Sequence, residues 1–311
     1  PGSSFYGGIG RAFHRNEYQW IFGYEQLIFN NTLQFYFEVF DKSITNDAWR
    51  MADSDNSLSA FFLGKDYLDW HNGYGYRTGG YLHLHNYLSI GAEYNSLTQS
   101  NMNNVLEEYR PSYKIQEGRN VYLKSVVTIG DPIDITREKF QMYSSFIRTN
   151  SMENSDMDYN HDHFLFNILI PYADELIFNV KLMAGASDVS DSRYRGEGYK
   201  QNIFEIGGHG TLRGYEWKAI STPHYQLSTL EIWYGWVGLF YDRAMIFDSP
   251  GNTFNQNYLN DMIDNIDQTD YHGIGIGIQP GDEFRISFVQ ALSGNKATTM
   301  YFTMDAPYHY W

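Results

Sequence analysis

In the run Ile206-Gly207-Gly208-His209-Gly210-Thr211-Leu212-Arg213-Gly214-Tyr215, glycines crowd around a single strong cation. Glycine lets a backbone turn sharply and pack closely, and Arg offers a planar, permanently charged donor fork that matches a carboxylate. In the segment from Val237 to Asp242, alternation sets Gly238, Phe240 and Asp242 on one face and Val237, Leu239 and Tyr241 on the other. Metal chemistry has two candidates. His161 and His163 in Tyr159-Asn160-His161-Asp162-His163 are spaced to share one strand face, where they either hold a metal or sit solvated at a rim. Asp261, Asp264, Asp267 and Asp270 could attract Ca²⁺, but no glycine-containing ligand loop surrounds them, so a solvated outer loop is the expectation. Ser, His and Asp residues occur without nucleophile-elbow or metalloprotease spacing. The chain is therefore expected to be no enzyme and to need neither a metal nor a cofactor.

The elements that position these residues alternate with period two, in segments of about ten residues. In one of them Ile274, Ile276 and Ile278 oppose Gly273, Gly275 and Gly277. After the turn Gln279-Pro280-Gly281-Asp282, Phe284, Ile286 and Phe288 oppose Arg285 and Ser287. From Leu176 to Ala186 an apolar face opposes Asn179, Lys181 and Gly185, and a lysine there is cheap only if that face is wet. Further strands are predicted at 5–13, 18–29, 33–41, 74–84, 88–95, 120–130, 139–149, 163–170, 225–234, 237–246 and 299–306. The total is roughly fourteen, with helix signals almost absent. Connections alternate between short, as at Asn30-Asn31 and His85-Asn86, and long, at 43–57, 98–118, 150–162, 188–223 and 248–271. Residues 59–70 fit that rhythm poorly and are read as an insert in an outer loop.

Composition points the same way. The 311 residues include 27 Tyr, 21 Phe and 7 Trp but are only 19% charged, a mixture suited to aromatic girdles around a polar lumen. No stretch approaches the about 18 consecutive apolar residues of a transmembrane helix, so any membrane span must be made of strands, which requires a closed barrel. The absence of cysteine excludes disulfides and thiolate metal sites. A formal charge of −15 disfavours nucleic acid or anionic lipid as a partner of the chain as a whole. No linker divides the chain, and one domain over 1–311 is expected, with 188–223 as an inserted loop. A soluble two-sheet protein is the competing fold, but it leaves the greasy strand faces without a second class of element to cover them.

Leu212-Arg213-Gly214-Tyr215 resembles the motif of the BamA- and TamA-like bacterial surface antigen superfamily, in which a glycine-rich outer loop folds back into the lumen. Leu239-Phe240-Tyr241-Asp242 resembles the family's Phe-x-Asp strand, Glu231 is similar to a Glu often found on the strand before it, and five candidate strands follow the motif as in the family. Arg213-Gly214 is a weak signal alone; the combined order is a strong one. The chain departs from the family where Asp-x-Gly becomes Asp242-Arg243-Ala244, and Pro307 interrupts an otherwise aromatic-ended C-terminus.

The resemblance implies an all-β, transmembrane antiparallel β-barrel of sixteen strands, of which about fourteen are legible, the first pair being expected before Pro1. It implies a lumen lock in which Arg213 pairs with Asp242 beside Phe240, involving Gly207, Gly208, Gly210, Gly214, Tyr215 and Glu231, and an assembly signal at Phe302, Met304 and Trp311. The alternative is that Arg213 projects from a mobile outer loop. The implied setting is the bacterial outer membrane, with lipid, lipopolysaccharide and protein partners or clients around it. The function implied is non-enzymatic assistance to the insertion or transport of proteins. A structural anchor or scaffold in an envelope complex is the alternative, no POTRA repeat being visible in the sequence. A diffusive pore is disfavoured, because an inward loop would plug it.

Overall fold

In a computed structural model the described residues are 2–12, 17–47, 49–50, 56, 67–84, 87–102, 114–131, 139–173, 175–188, 203–247, 268–279, 284–294 and 298–304. They form strands β1 (Gly2–Ala12), β2 (Glu17–Ile28), β3 (Leu33–Thr45), β4 (Trp70–Leu84), β5 (Leu88–Asn101) and β6 (Gly118–Ile129). Next come β7 (Gln141–Ser151), β8 (Asn160–Ala173), β9 (Leu176–Asp188) and the short β10 (Phe204–Ile206) and β11 (Ile220–Thr222). The chain continues through β12 (His224–Tyr234), β13 (Val237–Phe247), β14 (Gln268–Ile278), β15 (Phe284–Ala291) and β16 (Thr298–Met304). Each strand except β10 and β11 pairs antiparallel with its sequence neighbours, and β9 pairs with β12 across the pair β10–β11. The result is one meandering fourteen-stranded sheet with β1 and β16 at its ends; no ladder joins those two among the described residues.

The alternation read from sequence is the alternation of burial. Leu230, Ile232, Leu239, Ile274, Ile276 and Phe288 are exposed on the outer face, while Glu231, Phe240, Asp242, Arg285 and Ser287 are buried on the inner one. At the end with the short turns, Phe29, Tyr87, Phe140, Tyr172 and Trp236 stand exposed. Such rings suit the boundary between hydrocarbon and water.

Glycines on the inner face make room for rings on the next strand. A Cβ on Gly275 would lie 2.3 Å from the Phe240 ring, and one on Gly277 2.5 Å from the Trp233 ring. The Gly-Ile alternation of β14 thus presents isoleucine outward and leaves an inner channel for two aromatic side chains from β12 and β13. Gly23 and Gly91 receive Tyr6 and Tyr81 in the same way.

Several sequence expectations shift. β5 extends through Asn101, β8 starts at Asn160 and β4 starts at Trp70, so the loops are shorter than predicted and Trp70 leaves the proposed insert. Residues 59–66 of that insert, Asp261, Asp264, Asp267, Pro307 and Trp311 lie outside the described residues. β13 runs in unbroken register with β12 and β14 through Arg243-Ala244, so the missing glycine after Asp242 leaves no irregularity.

Candidate functional site

Between β9 and β12 the chain turns inward. Ile206, Leu212 and Tyr215 pack in one buried cluster with Leu165, Leu169, Met183, Tyr225, Leu227, Ala244, Ile246 and Ala291 from the inner faces of the wall. The loop is therefore a plug with its own hydrophobic core. Its described glycines all take positive φ, at 121° for Gly207, 90° for Gly208, 85° for Gly210 and 91° for Gly214. A side chain at Gly210 would also collide with the Arg50 carbonyl, 1.7 Å from the Cβ position, and one at Gly214 with the β15 backbone at Ala291, 2.9 Å away. These positions require glycine both for dihedral angle and for closeness of approach.

Arg213 is placed at the centre. Its Nε and Nη2 donate to the two carboxylate oxygens of Asp242, each at 2.7 Å, its backbone N–H donates to Asp242 at 3.2 Å, and Nη1 donates to Glu231 at 2.7 Å. The guanidinium carbon lies 3.6 Å from the centre of the Phe240 ring. This is the bidentate geometry for which Arg is suited, completed by cation–π contact from a desolvated ring. Register explains it: Glu231 is opposite Phe240 and Thr229 opposite Asp242, so the two acids stand on adjoining strands flanking the ring. Gly273 faces Asp242 across the next ladder and leaves space for the Arg213 carbonyl.

Glu231 binds more than one partner. Its Oε1 also accepts from Arg285 Nη2 at 2.9 Å, and its Oε2 from Trp233 Nε1 at 3.1 Å and Asn179 Nδ2 at 3.4 Å. Arg285 in turn lies 4.4 Å from the Trp233 ring centre. Sequence reading noted Arg285 as inward but gave it no role; a charged residue alone on a face of small side chains was the available signal. Gly214 and Tyr215 anchor the loop at the far side: the Tyr301 hydroxyl accepts from the Gly214 N–H at 3.3 Å and donates to the Tyr215 carbonyl at 3.2 Å. The Tyr215 hydroxyl donates to the Ser293 carbonyl at 2.8 Å. Phe302 and Met304 lie in β16 in register with Ile286 and Phe284.

Two expectations are corrected here. Lys181 does not face water: it is buried, and its Nζ donates to the Gly210 carbonyl at 3.2 Å, so the loop backbone replaces solvent. His163 is buried too. His161 stacks on Phe204 of the plug at 4.2 Å and His163 lies 5.1 Å from Trp49 of the β3–β4 connection, so the pair is covered by rings from both instead of lying solvated at a rim. Among the described residues no group of three or more metal-ligating side chains assembles.

A second ionic cluster, which sequence reading missed, holds the other side of the loop. Lys218 Nζ meets Asp47 at 2.8 Å, Glu205 at 3.1 Å and Asp69 in a short contact; Arg50 meets Asp47 at 2.5 Å and Glu205 at 3.6 Å. Arg50 lies over Trp49, and Trp217 packs with Leu68 and Tyr67. Burial alone would raise the Asp47 carboxyl, but Arg50 and Lys218 outweigh it and hold it lowered, to about 2. Nothing in the local sequence announces this cluster, since its members come from two connections far apart in the chain, β3–β4 and β9–β12, that are joined only by folding.

No protein-family model matches the chain, and no curated protein does. Among solved structures it is similar to BamA from Haemophilus ducreyi lacking POTRA domains 1–3, with a TM-score of 0.58 and 13% identity, covering 97% of this chain and 66% of that one. LpxR from Salmonella typhimurium matches with a TM-score of 0.32 and 10% identity, over 83% of this chain and 87% of that one. The chain thus spans just under two thirds of the BamA chain it resembles, and at this identity the likeness is one of fold.

Proposed function

We propose that the protein is a non-enzymatic β-barrel of the bacterial outer membrane that belongs with the assembly and translocation barrels and helps other proteins insert into or cross that membrane. The observation that carries this reading is the inward loop whose Arg213 is clasped by Asp242 and Glu231 against Phe240. The apolar outer face, with aromatic rings at its short-turn end, supports the membrane setting, where lipid, lipopolysaccharide and protein clients would be the partners. A second reading, a scaffold that anchors partners in an envelope complex, is favoured by the cluster around Lys218. A plug fastened on two sides suits a static wall better than one that must move.

Depletion in the native cell, followed by quantitative profiling of outer-membrane proteins, tests the choice. The assembly reading expects many unrelated barrels to fall together. Loss of one complex with all other barrels at normal levels would refute it and leave the scaffold.

A further inference from the structure

The outer wall carries a groove of about 460 Å³ near the end with the long loops. Its shape follows from register. Tyr76 and Tyr74 on β4 stand opposite Ser96 and Thr98 on β5, and Thr98 stands opposite Arg119 on β6. Large rings, then two small hydroxyl side chains, then a cation succeed one another across three strands, and the small pair forms the trough. Trp20 extends the ring side, meeting Tyr74 edge to face at 6.5 Å between centres.

Arg119 differs from five other arginines of the wall. Arg77, Arg148, Arg213, Arg243 and Arg285 each pair with a carboxylate. Among the described residues the Arg119 guanidinium meets only the Ser96 hydroxyl, at 3.5 Å. Its backbone is fixed nonetheless, because its N–H donates to Asp156 at 2.7 Å and its carbonyl accepts from Ser155. The base of the side chain is anchored while its donor fork stays open. Asp41, the outward acid opposite Trp20 and Tyr74, stands on β3, separated from Arg119 by β4 and β5.

We infer that this groove binds a membrane lipid with a phosphate headgroup, the phosphate on Arg119 and an acyl chain along the trough against Tyr74, Tyr76 and Trp20. The inference rests on the proposed membrane setting. Chemistry selects the occupant: a guanidinium at the rim pairs bidentately with phosphate, and a trough with two small side chains at its floor and the rings of Tyr74, Tyr76 and Trp20 at its side suits a hydrocarbon chain better than a polar peptide. A zwitterionic lipid would fill the trough but gain less at Arg119, since its own ammonium offsets the phosphate.

The full chain reconstituted in bilayers provides the test. Trp20 reports on the groove, and Trp20→Phe isolates its share of the fluorescence. Phosphatidylglycerol with brominated acyl chains should quench that share at about fivefold lower mole fraction than brominated phosphatidylcholine, the factor that about 1 kcal/mol per cation at an anionic membrane gives. Arg119→Gln should abolish the preference, Arg119→Lys, which keeps the charge but loses the bidentate fork, should keep only part of it, and Thr98→Phe should fill the trough and protect Trp20 from both lipids. Equal quenching by the two lipids in the unaltered chain, or a preference that survives Arg119→Gln, overturns the groove while leaving the barrel intact. A chain that does not enter either bilayer refutes the membrane setting and the groove together.

Discussion

Removing the Arg213 side chain should be among the most damaging single changes in the protein. The Asp242 side chain is 0% exposed and that of Arg213 9% exposed. Arg213→Ala deletes both side-chain bonds to Asp242 and one of those to Glu231, leaving the Asp242 carboxyl in a closed site without its ion-pair partner and, of the three bonds from residue 213, only that of the backbone N–H. An ion pair this buried loses about 3–5 kcal/mol when one partner is removed, whereas an exposed pair would lose only ~0–1 kcal/mol. Asp242→Ala should cost less than Arg213→Ala, because Glu231 continues to pair with the guanidinium. The double variant should be less harmful than the sum of the two, with a coupling of roughly 0.5–3 kcal/mol. Urea unfolding in detergent micelles, followed by tryptophan fluorescence and by gel mobility of the heat-resistant folded form, gives all three values. Coupling indistinguishable from zero would refute the reasoning, as would Asp242→Ala proving worse than Arg213→Ala.

Other expectations follow from the two faces of the wall and the two sides of the plug. Ile276→Lys, on the exposed outer face, should impair folding into bilayers by ~2–4 kcal/mol, while Gln34→Lys, beside the Glu25 carboxylate, should be tolerated; equal tolerance would remove the case for a lipid-facing surface. Ser287 is no control for that comparison, since it is buried and a lysine there would be overpacked. Gly275→Ala should destabilise by about 1–3 kcal/mol through collision with Phe240, whereas Gly10→Ala, with nothing within 4 Å of its Cβ position, should be neutral, and chemical denaturation of the two will show whether the inner channel is as tight as described. Because the folded-state pKa of Asp47 is lowered to about 2, its contribution is complete above the ordinary carboxylate range and is lost as pH falls from about 4 through about 2. Hydrogen exchange over residues 203–222 should rise in that window and not above pH 5, and Asp47→Asn should make the loop insensitive to it.

How much was legible from sequence depends on the range of the interaction. Strands with one apolar face declare themselves locally, so Ile274, Ile276 and Ile278 locate β14 and its outer face at once, and Phe240 and Asp242 are inward by the same parity. Arg213 was legible because glycines at 207, 208, 210 and 214 mark a backbone that must pass close to other chain. What glycine does on β14 was half legible: its small face is evident, but the Trp233 and Phe240 rings that occupy the space arrive by register, which alternation alone does not reveal. Lys181 was read as needing water because a carbonyl from a loop 29 residues away is invisible locally. The Lys218 cluster was illegible for the same reason, Lys218 and Asp47 being 171 residues apart and each resembling an ordinary loop charge.

The absence of cysteine allows the most direct measurement, the reactivity of single introduced thiols in intact cells toward a maleimide that does not cross membranes. Leu212 is 0% exposed within the plug, while Glu216, in the same loop, is exposed. If the loop is clasped inside the barrel, Leu212→Cys should resist labelling while Glu216→Cys reacts readily, and adding Arg213→Ala, which removes the bonds to both Asp242 and Glu231, should open Leu212→Cys to the reagent. A Leu212→Cys thiol that reacts as fast as Glu216→Cys in the otherwise unaltered chain would contradict a loop held in the lumen by Arg213.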